Sequence, residues 1–547
     1  MNNAERHFSQ VPTMNIERSK FDRSNTLHTA FNTGDIIPLY VDEVLPGDSF
    51  TMDFAHVTRM ATPIAPVMDN CALDVFAFFV PNRLLWEHWR EFWGENNTSH
   101  WEQPVKYQVP YIESPSGGWD VGSLADYLGI PVGVTLTGEN APNVLKFRAY
   151  CKIWNDWFRS TPLKDPVLIH EDETILTGVN KGIGYDYTTD TEKGAAPLKA
   201  AKWHDYFTSA LPEPQLGQPV NLPLGLSAPV KLGSGLGDAA TGYDWGTGQG
   251  TNVGYYNPGT GTQAKQLIQN ANDEWLPADL ASGKMNPLIA DLSQATAATI
   301  NQLRAAFAVQ RFYEALARGG NRYTELVYNI FHVTSPDARQ QRSEYLGGCR
   351  LPINIDQVLQ TSATDSVTPQ GNTSGYSVTV DAKNLCTYSA TEHGIVMILG
   401  VIRTNHTYSQ GMDRMDSRRS FTDFYLPQFA HLGEQEVRVR ELYAQGNTDD
   451  REVFGYQERW AEYRYKPNKT TGKMRPGVTG SLAIWHYGDY YTQRPYLSGE
   501  WIDETEANVA RTLAVKNEPQ WIVNTHIKAI WTRPMPMYSV PGLLDHF

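Results

Sequence analysis

One stretch of the chain combines residue types that could do chemistry together: Tyr456, Arg459, Trp460, Tyr463, Arg464, Tyr465, Lys466, Lys469, Lys473 and Arg475. Between Gln457 and Arg475 six basic residues stand against two acidic ones, Glu458 and Glu462, a local charge of +4 in a chain of formal charge -14. Cations neutralise phosphates and aromatic rings stack on unpaired bases, so this mixture suits single-stranded nucleic acid. A solvated face, or a contact with an acidic neighbour, uses the same residues equally well. With 60 acidic and 46 basic residues the surface as a whole repels nucleic acid, so any such contact has to be local.

Other chemistry finds less support. Gly237 and Gly242 have the spacing of a phosphate-binding loop, but Tyr243 follows where a lysine has to reach the phosphates. Gly233-Ser234-Gly235-Leu236-Gly237 and Gly246-Thr247-Gly248-Gln249-Gly250 miss the spacing that sets pyrophosphate on a helix N-terminus, and a loop is the better reading. No GxSxG elbow and no HExxH pair occur. Cys71, Cys151, Cys349 and Cys386 form no CxxC pair and sit near no histidine at zinc spacing, which marks them as buried apolar residues. His170-Glu171-Asp172-Glu173 is the densest polar cluster and reads as a solvated acidic patch. A hard divalent cation is the one ligand such carboxylates suggest, and no cofactor is expected. Nothing among the acidic residues selects a pair for glycoside hydrolysis.

The elements that must position these residues are mainly strands. Ile36-Ile37-Pro38-Leu39-Tyr40, the turn Pro46-Gly47 and the alternation of Phe50, Met52 and Phe54 with Thr51, Asp53 and Ala55 predict two strands of a half-buried sheet. Val75 to Val80 and Ile395 to Ile402 are apolar throughout, as strands covered on both faces are. Tyr376, Val378 and Val380, and then Trp521 to Trp531, add further strands. Helical spacing joins Leu85, Trp86, Trp89 and Trp93; Phe147, Tyr150, Trp154, Trp157 and Phe158; and Ile300 to Leu316, which stops at Gly319-Gly320. Strands at both ends with helices and loops between them suit a jelly roll, whose connections can grow without disturbing the core.

Two segments fall outside that plan. Residues 1 to 35 show neither period and predict an extended arm held by something else, with Arg6, Arg18, Lys20 and Arg23 as its candidate contacts. From Leu211 to Thr262 twelve glycines and six prolines fall within 52 residues, which predicts a long surface excursion. No run approaches the roughly 20 apolar residues of a membrane span, so a soluble chain made in a cytoplasm, with no membrane insertion, is expected. Aromatic residues at 12% lean towards assembly.

Three segments carry a family resemblance: Phe454 to Lys466 (FGYQERWAEYRYK), Leu73 to Trp86 (LDVFAFFVPNRLLW) and the arm from Val11-Pro12 through Arg18-Ser19-Lys20-Phe21-Asp22-Arg23-Ser24. The chain resembles the major capsid proteins of microviruses, above all the gokushovirus branch, over its whole length. The resemblance implies a mainly β fold, an eight-stranded antiparallel jelly roll with long insertions, spanning residues 36–547 behind the arm of residues 1–35. It implies a homo-oligomeric T=1 icosahedral shell, assembled in the bacterial host cytoplasm around circular single-stranded DNA. It also implies a glycine-rich insertion at about residues 211–290 that protrudes at threefold axes. Exposed loops on a rigid scaffold often carry recognition, so that insertion is expected to meet a host cell-surface receptor. Further partners implied are an internal scaffolding protein and a small basic DNA-binding protein that offsets the acidic shell. A free carbohydrate-binding jelly roll and a glycan-cleaving enzyme are the readings from other classes.

Overall fold

The computed structural model describes residues 17–96, 106–218, 220, 230–232, 267–269, 275–277, 288–290, 300–359, 373–376 and 378–538. The chain divides into two compact units, Met1–Leu216 with Glu314–Phe547, and Gly217–Tyr313. The expected insertion at 211–290 lies largely outside the described residues. Within it residues 211–218 and 220 are described, with Leu211 bridged to Tyr456, and beyond them short strands pair as Val230–Leu232 with Leu288–Ala290 and as Leu267–Gln269 with Trp275–Pro277.

The larger unit is built on strands β1 (Ser19–Asp22), β2 (Asn25–Phe31), β3 (Ile37–Val44), β4 (Ser49–Met60), β5 (Cys71–Pro81), β6 (Glu344–Ile353), β7 (Thr379–Ser389), β8 (Gly394–Thr404), β9 (Glu434–Arg438), β10 (Val453–Glu458) and β11 (Trp521–Arg533). β11 lies between β4 and an edge formed by β1 and β2, and β4 pairs in turn with β7. The second sheet runs β6-β5-β8-β3, and every pair in both sheets is antiparallel. From β2 to β5 the chain crosses between the sheets at each step; β6 stays beside β5, and β7, β8 and β11 cross again. That alternation is the path of a viral jelly roll. The count differs from eight because one edge is split at Arg23-Ser24, which gives five strands in the first sheet and four in the second.

Side-chain alternation explains the sandwich. Phe50, Met52 and Phe54 of β4 point inward with Trp521, Val523, Ile527 and Trp531 of β11, while Thr51, Asp53 and Ala55 face out. Phe50 packs on Trp531 with ring centroids 4.4 Å apart, and Phe79 meets Tyr388 of the opposite sheet at 5.2 Å. β5 and β8 are buried on both faces, as their unbroken apolar runs predict. The second face of their sheet is covered by a separate core that includes Trp86, Trp119 and the helix α1 (Leu145–Ile153), which continues as a π turn over Trp154–Phe158. Trp157 and Phe158 close on Phe78 from that turn.

Two expectations need amendment. Leu85, Trp86, Trp89 and Trp93 do not share one helix: a 3-10 turn at Asn82–Leu84 gives way to a single helical turn at Trp89–Phe92. Between them the Glu87 amide donates to the Glu171 carbonyl, which interrupts the helical ladder. The stretch expected to be an arm is, from Ser19 onward, the edge of the five-stranded sheet, and residues 1–16 lie outside the described residues. An edge strand covered on one face only can be polar, which is why Asn25–Phe31 shows no apolar run. The helix expected near Ile300 is α2 (Ile300–Gly319), and a second helix, α3 (Tyr323–Phe331), follows it. Among the described residues no helix is long and apolar enough to cross a membrane. Cys71, Cys151 and Cys386 are buried and Cys349 half-buried, all with free thiols; burial pushes the Cys71 and Cys386 thiols up to about 12.

Candidate nucleic-acid interface

The basic stretch hangs from the hairpin of β9 and β10, whose residues share a small core with Tyr206, Phe207 and Tyr408. At the end of β10 the chain reverses at Trp460, which sits in the left-handed region with φ 66°. The indole is buried, so it offers no free face for a base. It packs edge-on against Tyr425 and Tyr463, with the Arg459 guanidinium 4.8 Å from its centroid. Tyr463 is exposed, and Arg418 lies 4.4 Å from its ring.

The cations divide into engaged and free. Arg464 pairs with Glu458, whose hydrogen bond holds the guanidinium above its ordinary range, and Lys469 pairs with Asp413. Arg475 donates from Nη1 to the Ser409 carbonyl at 2.6 Å. Lys466 and Lys473 stand exposed, and neither makes an ion pair among the described residues. Residues 468–470 are held beside Tyr408 by two backbone bonds of 3.0 Å, from the Tyr408 amide to Asn468 and from the Thr470 amide to Tyr408. The available surface therefore consists of Lys466, Lys473, the outer parts of Lys469 and Arg475, and the exposed rings of Tyr463 and Tyr465.

The arm candidates are less available. Arg18 donates to the Gly47 carbonyl, and Arg23 grips Asp42 through two bonds of 2.7 and 2.6 Å. Lys20 is exposed on β1, and Arg6 lies outside the described residues. A neighbouring segment that sequence reasoning passed over, Arg418-Arg419-Ser420-Phe421 through Phe424-Tyr425, adds exposed rings beside the basic stretch. Its signal was a basic pair followed closely by aromatic residues.

The acidic cluster at His170 does not converge on one point. His170 Nδ1 lies 2.6 Å from Glu192, Asp172 binds Thr174, and Glu173 accepts from Trp86 and meets His88 at 2.5 Å. The residues that could hold an ion are instead Glu87, His88 and Glu173, whose ligand atoms all lie within 4.8 Å of one another.

Comparison with known proteins gives one answer. Residues 9–543 match the family model described as Capsid protein (F protein). The chain is 41% identical over 548 residues to the Capsid protein VP1 of Spiroplasma virus 4, covering 98% of this chain and 97% of that one. It is 39% identical over 556 residues to the Capsid protein VP1 of Bdellovibrio phage phiMH2K, with 99% and 98% covered. Against the Capsid protein VP1 of Chlamydia phage 1 it is 36% identical over 598 residues, with 98% and 97% covered. The jelly-roll path and a likeness that runs nearly from end to end agree: the chain belongs to the capsid protein (F protein) family of microvirus-type phages, a subunit of a multimeric virion shell.

Proposed function

We propose that copies of this chain close into a T=1 icosahedral shell around circular single-stranded DNA, and that the segment at 211–290 contributes to host attachment. The observation that carries the self-assembly reading is the apolar surface left on a single copy. Two filled cores coexist with Phe331 67% exposed, Phe421 77% exposed and Tyr323, Tyr328 and Phe424 also facing solvent. Large apolar side chains in such numbers mark contact surfaces, and neighbouring copies of a shell subunit are the partners that cover them. Many modest contacts closed by symmetry need no single strong one. The work is binding alone, without catalysis and without a cofactor. An internal scaffolding protein guides closure in the bacterial cytoplasm, and a small basic protein supplies the positive charge that an acidic shell lacks.

Lys466, Lys473 and the exposed rings beside them are the DNA-facing groups on this reading. When the chain is expressed with the precursor-shell proteins, electron microscopy should show closed particles. Lys466→Glu combined with Lys473→Glu should leave particle yield near wild type and lower the DNA retained in them. Equal loss of particles and DNA would mean that this surface joins subunits instead. The attachment reading has its own test: particles lacking Leu216 to Thr262 should assemble but adsorb poorly to host cells, and normal adsorption would refute it.

A further inference from the structure

Away from the basic surface, one set of ligating side chains converges: Glu87, His88 and Glu173, whose ligand atoms lie within 4.8 Å of one another. Glu87 and His88 occupy the break between the 3-10 turn and the helical turn that follow β5, and Glu173 comes from a loop beyond α1. Buried Arg148 holds the two segments together, donating from Nη1 to the Leu85 carbonyl at 3.0 Å and from Nη2 to the Asp172 carbonyl at 2.9 Å. The Glu87 amide adds a third tie, to the Glu171 carbonyl at 2.9 Å. The side chains are fixed as well. The Trp86 indole N–H donates to Glu173 Oε1 at 2.9 Å, and the His88 ring stacks on Tyr107 with centroids 4.2 Å apart and planes 10° from parallel. Outer contacts of this kind orient the ligands of a metal ion.

The charges at this point do not balance. Two carboxylates face one imidazole, and among the described residues neither Glu87 nor Glu173 pairs with a lysine or arginine. Like charges brought this close favour a cation between them. The spacing fits a small ion. His88 Nδ1 lies 2.5 Å from Glu173 Oε1 and 3.8 Å from Glu87 Oε1, which brackets the roughly 3.3 Å between neighbouring ligands of a tetrahedral site with metal bonds of about 2.0–2.2 Å. Both hydrogen bonds to Glu173 fall on Oε1, so Oε2 accepts from neither. The nitrogen decides the class of ion: magnesium and calcium take oxygen ligands, whereas imidazole suits zinc and its transition-metal neighbours. The acidic run at His170–Glu173 suggested a hard cation, and the histidine supplied by a distant segment changes that class.

We infer that Glu87, His88 and Glu173 bind one zinc ion per chain, through His88 Nδ1 and one oxygen of each carboxylate, with the ring proton on Nε2 and a water at the fourth position. The ion clamps the turn after β5 to the loop that carries Glu173, above the core around Trp86, and so stabilises the folded chain.

Equilibrium dialysis of the purified, untagged full-length chain against zinc should show one tightly bound ion per chain, with magnesium and calcium bound at least about tenfold more weakly. Glu173→Gln keeps an acceptor for Trp86 and removes the charge, and His88→Gln removes the ring nitrogen. Each should weaken zinc binding by at least about 10- to 100-fold, the loss that even an outer partner brings. Zinc should raise the thermal unfolding midpoint of the wild type and of neither variant. His332→Gln, at an exposed histidine beyond α3, should change neither reading. Circular dichroism without zinc checks the fold of the variants, and the comparison of ions on the wild type stands whether or not they fold. The absence of stoichiometric zinc, zinc binding that survives both variants, or calcium held as tightly as zinc would each overturn the site.

Discussion

His406→Leu should lower the stability of the folded chain by about 3–5 kcal/mol near pH 6, and the deficit should narrow towards pH 9. His406 stands two residues past the end of β8, with Nδ1 3.1 Å from both carboxylate oxygens of Asp489 and Nε2 2.9 Å from Glu504. Both ring nitrogens face carboxylates, so both carry protons and the ring is an imidazolium. Burial alone would depress its pKa, but Asp489 and Glu504 outweigh burial and raise it to about 10. Burial likewise pushes Asp489 up, yet His406 and Lys202 prevail and hold its carboxyl below the ordinary range. Asn508 and Tyr491 also donate to Asp489, and Thr404 donates to Glu504 at 2.9 Å. Leucine leaves two buried carboxylates with no cation between them, which is the costly way to break such a cluster.

The pH dependence follows from the directions of these shifts. His406 has a folded pKa above its unfolded value of about 6.5, so its contribution is complete below that pH and fades as pH rises through about 10. Asp489 is depressed, so its contribution is present above about pH 4 and is lost as pH falls through its folded value. The wild-type advantage is therefore greatest between about pH 4 and 6.5 and falls above that by at most ~1.4 kcal/mol per pH unit. Urea unfolding followed by tryptophan fluorescence at the two pH values measures it. A difference between variant and wild type that stays constant with pH would show that the imidazolium charge contributes nothing.

What could be read from the residues alone divides along physical lines. β5 and β8 were legible because covering a strand on both faces demands an unbroken apolar run, and β4 because covering it on one face demands alternation. β2 was not, since an edge strand with one solvated face tolerates Asn25, Thr26 and His28. The basic stretch was found as a charge excess, but which cations are free depends on partners distant in the chain. Asp413 holds Lys469, Asp42 holds Arg23, and no local spacing announces either. Trp460 has the residue type of a stacking platform, yet a left-handed turn folds its ring into the protein.

Asp74 is a charged residue inside the apolar run of β5, and Asp74→Leu should cost about 3–5 kcal/mol despite adding apolar surface to the sheet. The carboxylate ties three strands together. Arg350 of β6 donates from Nε to Oδ1 at 2.6 Å, and Arg403 of β8 donates from Nε to Oδ2 at 2.9 Å. Trp203 adds its indole N–H at 3.1 Å, and the Arg350 guanidinium lies 4.4 Å from the Trp203 ring. Removing the acid leaves two guanidiniums without their anion, but they are not equivalent. The Arg350 side chain is 56% exposed and can turn into water, whereas Arg403 at 15% cannot. The penalty therefore resides mainly in Arg403, which predicts a specific rescue. Adding Arg403→Leu to Asp74→Leu should recover much of the lost stability, because it removes the stranded charge, while adding Arg350→Leu should recover little. Urea unfolding of the single and double variants decides it, and equal rescue by the two arginine substitutions would show that burial of the charge is not what makes Asp74 necessary.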